Sequence, residues 1–195
     1  MSNFSEGDRG VLYIVTCAAR SSEPMFVEDL VTRTLSDGWD VSVIATPQAR
    51  KFIDGSHLEH ITGHPVRSDY RHPDTPDTVP EPDAIVAFPV TFNTLNKWAS
   101  GIADTLALSI LCAHLGMETP IVAIPCVPEF SLARHPAFPR SVALLREYGV
   151  RVIYEPEKYP PMNNVPWDVM LQMVNNAVAE KHELILQKDE NISRW

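Results

Sequence analysis

The sequence predicts an α/β fold: a three-layer, Rossmann-like (flavodoxin-like) parallel sheet with helices on both faces. Three observations carry this. Short apolar runs rich in valine and isoleucine alternate along the chain with segments of helical spacing, the pattern of repeated βαβ units. Those runs lack polar alternation, as strands buried on both faces should. Gly38 and Gly149 stand just past helical stretches, where a left-handed residue ends a helix before the next strand.

Residues 11–15, Val-Leu-Tyr-Ile-Val, form the first strand, ended by Thr16; Phe26, Leu30, Val31, Thr34 and Leu35 then recur at helical spacing up to Gly38. Residues 41–45 are a second strand, and Thr46-Pro47 is expected to open a helix through Phe52. From Gly55 to Pro82 the chain is rich in Pro, Asp, His and Gly without sustained periodicity, which predicts a long loop able to act as a lid. Residues 84–88 are the third strand, stopped by Pro89, which cannot donate to a ladder. Thr94 is expected to cap a long helix from Leu95 to about Leu115. Strands at 121–124 and 150–154 flank a helix carrying Val142, Leu144, Leu145 and Tyr148. Pro166-Trp167 opens a last amphipathic helix with Val169, Met170, Met173, Val174 and Ala177 toward the body. The expected organisation is one domain over residues 1–181 and a polar, fraying tail over 182–195.

The 195 residues carry 25 acidic against 16 basic side chains, a formal charge of −9 with no basic cluster, which argues against a nucleic acid or an anionic membrane as partner. No apolar run approaches the roughly 20 residues needed to span a bilayer, so a cytoplasmic protein acting on a small molecule is expected. The three cysteines, Cys17, Cys112 and Cys126, form no CxxC pair and indicate neither a disulfide framework nor a zinc site. Asp74, Asp77, Glu81 and Asp83 are spaced by prolines and read as solvated loop residues, not metal ligands.

In a sheet of this kind every strand-to-helix turn opens on one edge, so residues 16–22, 46–49, 89–94 and 126–136 converge there. Helix N-termini at that edge offer amides and a positive dipole end to an anion such as a mononucleotide phosphate. Ordinary caps and turns account better for Thr46 or Thr94 taken alone. Cys17 and Cys126 invite a nucleophile reading, because a thiolate near a helix N-terminus has a depressed pKa, but a structural cysteine is the commoner case. No His-Asp partner completes a hydrolase triad.

The turn Pro89-Val90-Thr91-Phe92-Asn93-Thr94 resembles the Pro-Ala-Ser-Ala-Asn-Thr turn of the homo-oligomeric flavin-containing cysteine decarboxylases, and residues 100–104, Ser-Gly-Ile-Ala-Asp, are similar to the Gly-Ile-Cys-Asp element after it. The order of elements agrees from Val11 to about Tyr154. That family includes phosphopantothenoylcysteine decarboxylase and enzymes that decarboxylate a C-terminal cysteine in peptides. The resemblance implies flavin mononucleotide (FMN) as cofactor, held by Thr16, Cys17, Ala18, Arg20, Ser21, Thr46, Phe52, Pro89, Val90, Thr91, Asn93 and Ser100. It implies oxidative decarboxylation of a cysteine-like thiol acid or a peptide C-terminal cysteine, with His72, Asn93 and Asn163 as catalytic candidates. It also implies a homo-oligomer, a trimer or dodecamer, with flavin at the subunit contacts.

The chain departs from the family pattern in three places. Thr16-Cys17-Ala18 replaces Thr-Gly-Ser, removing a glycine and a hydroxyl expected at the phosphate, for which Arg20, Ser21 or Ser22 can substitute. His72 is displaced from the spacing of the catalytic histidine, and His57, His60 and His64 lie nearby; solvated loop histidines are the alternative reading for all of them. The family's Pro-x-Met-Asn-x-x-Met-Trp clamp after the fourth strand reads here Pro125-Cys126-Val127-Pro128-Glu129-Phe130-Ser131-Leu132, so Pro128 replaces the carboxylate-binding asparagine and Glu129 would repel a carboxylate unless protonated. A near-copy of the clamp, Pro160-Pro161-Met162-Asn163-Asn164-Val165-Pro166-Trp167, follows the fifth strand instead, as either a relocated lid or a helix lead-in in which Asn163 or Asn164 caps and Trp167 packs. These departures keep two alternatives open: a flavoprotein of other chemistry, prenyl-transferring or oxidase, and a non-catalytic binding or regulatory protein.

Overall fold

The computed structural model describes residues 9–17, 24–72, 74, 79–159 and 165–192. Its centre is a five-stranded, all-parallel sheet of order β2-β1-β3-β4-β5, built from β1 (Val11–Thr16), β2 (Asp40–Ala45), β3 (Ala84–Val90), β4 (Ile121–Pro125) and β5 (Arg151–Val152). The strands read as unbroken apolar runs because both faces are covered. On one face Tyr13, Val15, Ile85 and Ala87 pack under α3 (Phe92–Ala99), α4 (Leu106–Gly116) and α5 (Ala137–Glu147). On the other, Leu12, Ile14, Val86 and Phe88 pack against α1 (Pro24–Ser36), α2 (Gly55–Thr62) and α6 (Trp167–Ile192). Successive strand residues alternate between two cores, which makes the three layers expected from the sequence.

Several boundaries differ from that reading. Pro89 does not stop β3: the strand continues to Val90, and the proline falls where the β3–β4 register shifts between Ala87 and Val90, an irregularity that tolerates a missing donor. Thr91, not Thr94, caps the next helix, its hydroxyl accepting from the Thr94 amide. The long helix expected to reach Leu115 is two helices. α3 ends at Ser100-Gly101, with Gly101 at φ 70°, and α4 restarts after Thr105, which accepts from the Leu108 amide.

No helix opens at Thr46-Pro47; a 3-10 turn spans Ala49–Lys51 instead. The stretch from Gly55 holds α2, capped by Asp54 and closed by left-handed Gly63. Beyond it, Arg67 bridges Ile44 in parallel, taking the Ala45 amide at 2.7 Å and covering the outer edge of β2. This segment is therefore partly built into the sheet, and Tyr70 hydrogen-bonds Ser109 of α4. In α6, Met170, Val174 and Ala177 are buried, whereas Val169 faces out because it falls on the opposite side of the turn. α6 stays helical to Ile192, past the start of the expected tail. No helix among the described residues is long and apolar enough to cross a membrane.

Candidate functional site

The strand order reverses between β1 and β3: the chain moves from β1 outward to β2, then returns to the other side of β1. Open α/β sheets bind ligands in the crevice over the carboxyl ends of the strands at such a switch point. Here that crevice is bounded by Thr16 and Cys17 at the end of β1, and by Val90, Thr91 and Asn93 after β3. The Cys17 amide donates to the Pro89 carbonyl at 3.1 Å and the Cys126 amide to the Val90 carbonyl at 2.9 Å, so β3 holds the ends of both neighbouring strands.

A chain of hydrogen bonds ties β1 to the first turn of α3. The Thr91 hydroxyl donates to Thr94 Oγ1 at 3.1 Å and accepts from the Thr94 amide at 3.3 Å. The Thr94 side chain and the Thr91 backbone in turn bond the Cys17 thiol. Thr94 and Cys17 are buried, and Asn93, between the two threonines, is exposed at the crevice. On the β2 side the Thr46 amide bonds the Thr16 carbonyl at 2.9 Å, and Thr46 Oγ1 accepts from the Ala49 amide at 3.2 Å.

The cysteines at this edge are not activated nucleophiles. Burial pushes the Cys17 thiol up to about 11, outweighing the bonds from Thr94 and Thr91 that favour its thiolate. Burial likewise pushes Cys126 up to about 12, with Cys17 adding to the shift. Burial thus favours the neutral thiol at both positions, in keeping with the structural role that is the commoner one for cysteine.

The loop after β4 reaches the same edge. A 3-10 turn spans Leu132–Arg134, His135 sets its ring against Phe92 with centroids 5.5 Å apart, and Arg134 lies over the ring of Phe130 at 5.5 Å. Burial and then the charge of Glu129 raise the pKa of Tyr154, so the β4 loop faces the chain leaving β5. The sequence placed the whole turn of residues 126–136 at this edge without singling out Arg134 or His135 within it.

The remaining expected residues are dispersed. Phe52 closes the 3-10 turn and is half-exposed. Ser100 is the C-cap of α3, about 12 Å along the helix from the Thr91 turn, and lines a groove of about 640 Å³ with Trp98, Gly101 and Arg140. His72 faces solvent, its Nδ1 3.4 Å from Asp74. Ala18, Arg20, Ser21 and Asn163 lie outside the described residues. Trp167 packs edge-on against Phe88 at 5.2 Å, a structural role for the tryptophan of the displaced clamp-like segment. A second groove, of about 330 Å³, opens at the opposite edge of the sheet beside Pro120, Val150 and Leu184. Among the described residues no group of three His, Cys, Asp or Glu side chains is placed to hold a metal ion.

Known proteins share this fold. The chain is 28% identical over 131 residues to a probable phosphopantothenoylcysteine decarboxylase of Streptococcus mutans, covering 64% of this chain and 72% of that protein. It is 27% identical over 160 residues, 78% of its length, to the coenzyme A biosynthesis bifunctional protein CoaBC of Bacillus subtilis, of which it spans only 38%. Among solved structures, the FMN-dependent cysteine decarboxylase SpaF superposes with a TM-score of 0.62 at 27% identity, covering 75% of this chain and 85% of that one. The model of the family described as Flavoprotein matches residues 3–188, nearly the whole of the sheet and its helices, and the chain belongs to that flavoprotein family.

Proposed function

We propose that this protein binds FMN over the carboxyl ends of β1 and β3 and decarboxylates a cysteine-like thiol acid, such as a peptide C-terminal cysteine. The observation that carries this reading is the crevice at the β1/β3 switch point, the position at which sheets of this strand order take FMN. Its chemistry fits an anionic mononucleotide. Although the chain carries a formal charge of −9, the described residues 16–17, 46–52 and 89–97 include no carboxylate and do include Arg50 and Lys51. The cysteine decarboxylase relatives supply the substrate class.

Thr46 and the turn after it would hold the phosphate and ribityl chain, and Pro89, Val90, Thr91 and Asn93 would lie along the ring. The chemistry supplied by bound FMN would be a two-electron oxidation of the substrate's thiol-bearing carbon framework, which prepares loss of carbon dioxide. The protein's part is positional. Buried Phe88 and Val90 exclude water behind the turn, and the Thr91–Thr94–Cys17 chain fixes the first turn of α3 so that the Asn93 amide is presented to the ligand. Neutral Cys17 does not compete with the substrate thiol for an electrophilic centre.

Assembly into a trimer or dodecamer belongs to the same reading. α4 is apolar on every side, and a helix of that composition is normally buried all round; yet Ile110, Cys112 and Leu115 remain half-covered. Ser100, a helix length from Asn93, would reach a flavin across such a subunit contact. A cytoplasmic setting accords with three unpaired cysteines.

The test is direct. The visible spectrum of the purified protein, followed by fluorescence titration with FMN, should show a bound flavin. Cysteine-ended peptides should then lose carbon dioxide and two hydrogens by mass spectrometry. A protein that binds no FMN even when supplied removes this reading, and a monomeric mass by light scattering removes the assembly.

A further inference from the structure

Resting on the decarboxylase reading, we propose that Arg134, with His135 beside it, recognises the free carboxylate of the substrate. Arg134 is an exposed cation without a counter-charge among the described residues. Arg9 and Arg151 are held by Asp37 and Glu180, whereas Arg134 has no described carboxylate within ion-pair distance. Its guanidinium instead lies over Phe130, a ring 82% exposed at the tip of the β4 loop. Stacking on a ring covers one face of the guanidinium and leaves its N–H edge free, the edge that takes a carboxylate with two parallel hydrogen bonds.

The placement follows from the loop's two anchors. At one end the Cys126 amide bonds Val90 at the floor of the crevice. At the other, the His135 ring packs on Phe92, the residue before Asn93. Arg134 is the neighbour of that second anchor. His135 Nδ1 accepts from the Ala137 amide at 3.2 Å, which assigns the ring hydrogen to Nε2 and makes it a second donor. α5, which begins at Ala137 with no acidic residue in its first turn, adds the positive end of its dipole.

The one acidic side chain of the loop, Glu129, contributes to the raised pKa of Tyr154 and forms no ion pair with Arg134 among the described residues. Pro128 leaves the loop without a side-chain amide.

The experiment compares the FMN-supplied protein with Arg134→Ala and Arg134→Lys in two assays. In the first, turnover of a cysteine-ended peptide, Arg134→Ala should raise KM by roughly ten- to a hundredfold with kcat little changed, and Arg134→Lys should recover part of the loss. In the second, calorimetry, the unmodified protein should bind mercaptopropionate more tightly than its methyl ester, and Arg134→Ala should bind the two alike. Turnover with an unaltered KM in Arg134→Ala overturns the proposal and leaves the decarboxylase reading standing. If the unmodified protein turns over no peptide, that reading fails, and calorimetry decides Arg134 by itself: acid preferred to ester only when Arg134 is present upholds carboxylate recognition, and equal binding overturns it.

Discussion

Thr91 joins the fold to the proposed flavin site, and replacing it by alanine isolates that link. Its hydroxyl accepts the Thr94 amide at 3.3 Å and donates to the Thr94 hydroxyl at 3.1 Å, while Thr94 is buried with little water to replace a lost partner. Loss of an N-cap costs about 1 kcal/mol, and loss of the hydroxyl–hydroxyl bond about 1 kcal/mol more. The sum, about 2 kcal/mol, lowers the Tm of a domain of this size by roughly 4–8 °C. Thr91→Ser keeps the oxygen and should lose less than half as much.

The assay is denaturant unfolding of Thr91→Ala, Thr91→Ser and the unmodified protein, read by both tryptophan fluorescence and circular dichroism so that two-state behaviour is tested. FMN titration of the same samples is the functional arm. Because Asn93 lies inside the turn that Thr91 caps, affinity should fall in the alanine variant and be largely kept in the serine variant. An alanine variant within about 0.5 kcal/mol of the unmodified protein, a difference below the usual cost of losing a cap, would refute the argument. So would a serine variant as damaged as alanine.

Gly10→Ala should be severe. Gly10 has φ 97° and its added Cβ would lie 2.3 Å from Asp83 Oδ2, which accepts the Val11 amide at 2.8 Å. Backbone strain of about 1–2 kcal/mol and loss of a charge-assisted bond of about 1.5–3 kcal/mol should appear in chemical unfolding, and Gly10→Ala with Asp83→Ala should cost less than the sum of the two. Leu111→Ala, at a fully buried position under the sheet, should cost about 2–5 kcal/mol through the cavity it leaves, read as a lower denaturation midpoint. His114 is buried against Thr119 and Tyr13; burial lowers its pKa, with Glu81 opposing and Lys181 reinforcing the shift. The folded state therefore favours the neutral ring. This contribution is complete above the unfolded value near 6.5, declines as pH falls below it, and levels off below the depressed folded value. His114→Gln should flatten that slope in Tm measured against pH.

The sheet is legible in the sequence because burial on both faces leaves unbroken apolar runs, which a half-solvated strand or a surface helix does not produce. Breaks within helices are less so. The helical pattern carries through Ser100-Gly101 because an amphipathic segment, residues 92–99, runs on into an apolar one, residues 106–116, yet the stop at Gly101 and the restart cap at Thr105 are both present in the sequence. α2 escapes the periodicity for a related reason: Leu58 is its one buried residue, and a single anchor makes no period, although Asp54 and Gly63 mark its two ends. The site shows the deeper limit. From sequence order, Cys17 is a thiol near a helix start, where the dipole favours the thiolate. The fold buries it, and desolvation of the charged sulfur outweighs the hydrogen bonds from Thr94 and Thr91 that favour the thiolate.

Cysteine at this position has a second effect, which follows from which donors the sulfur uses. The Thr91 backbone and the Thr94 side chain favour the Cys17 thiolate, and the Thr94 and Leu95 amides are taken by the Thr91 hydroxyl and carbonyl, so a phosphate at this edge has other donors to draw on. The stretch after β2 is the described alternative, where Arg50 and Lys51 stand in a turn free of carboxylates. Arg50 is held to the Val66 carbonyl at 2.8 Å through Nη1, which fixes its position while leaving other guanidinium N–H groups to donate. If the phosphate is held there, Arg50→Ala should weaken FMN binding by more than Thr94→Val does, measured by fluorescence titration; the opposite order would return the phosphate to the α3 turn.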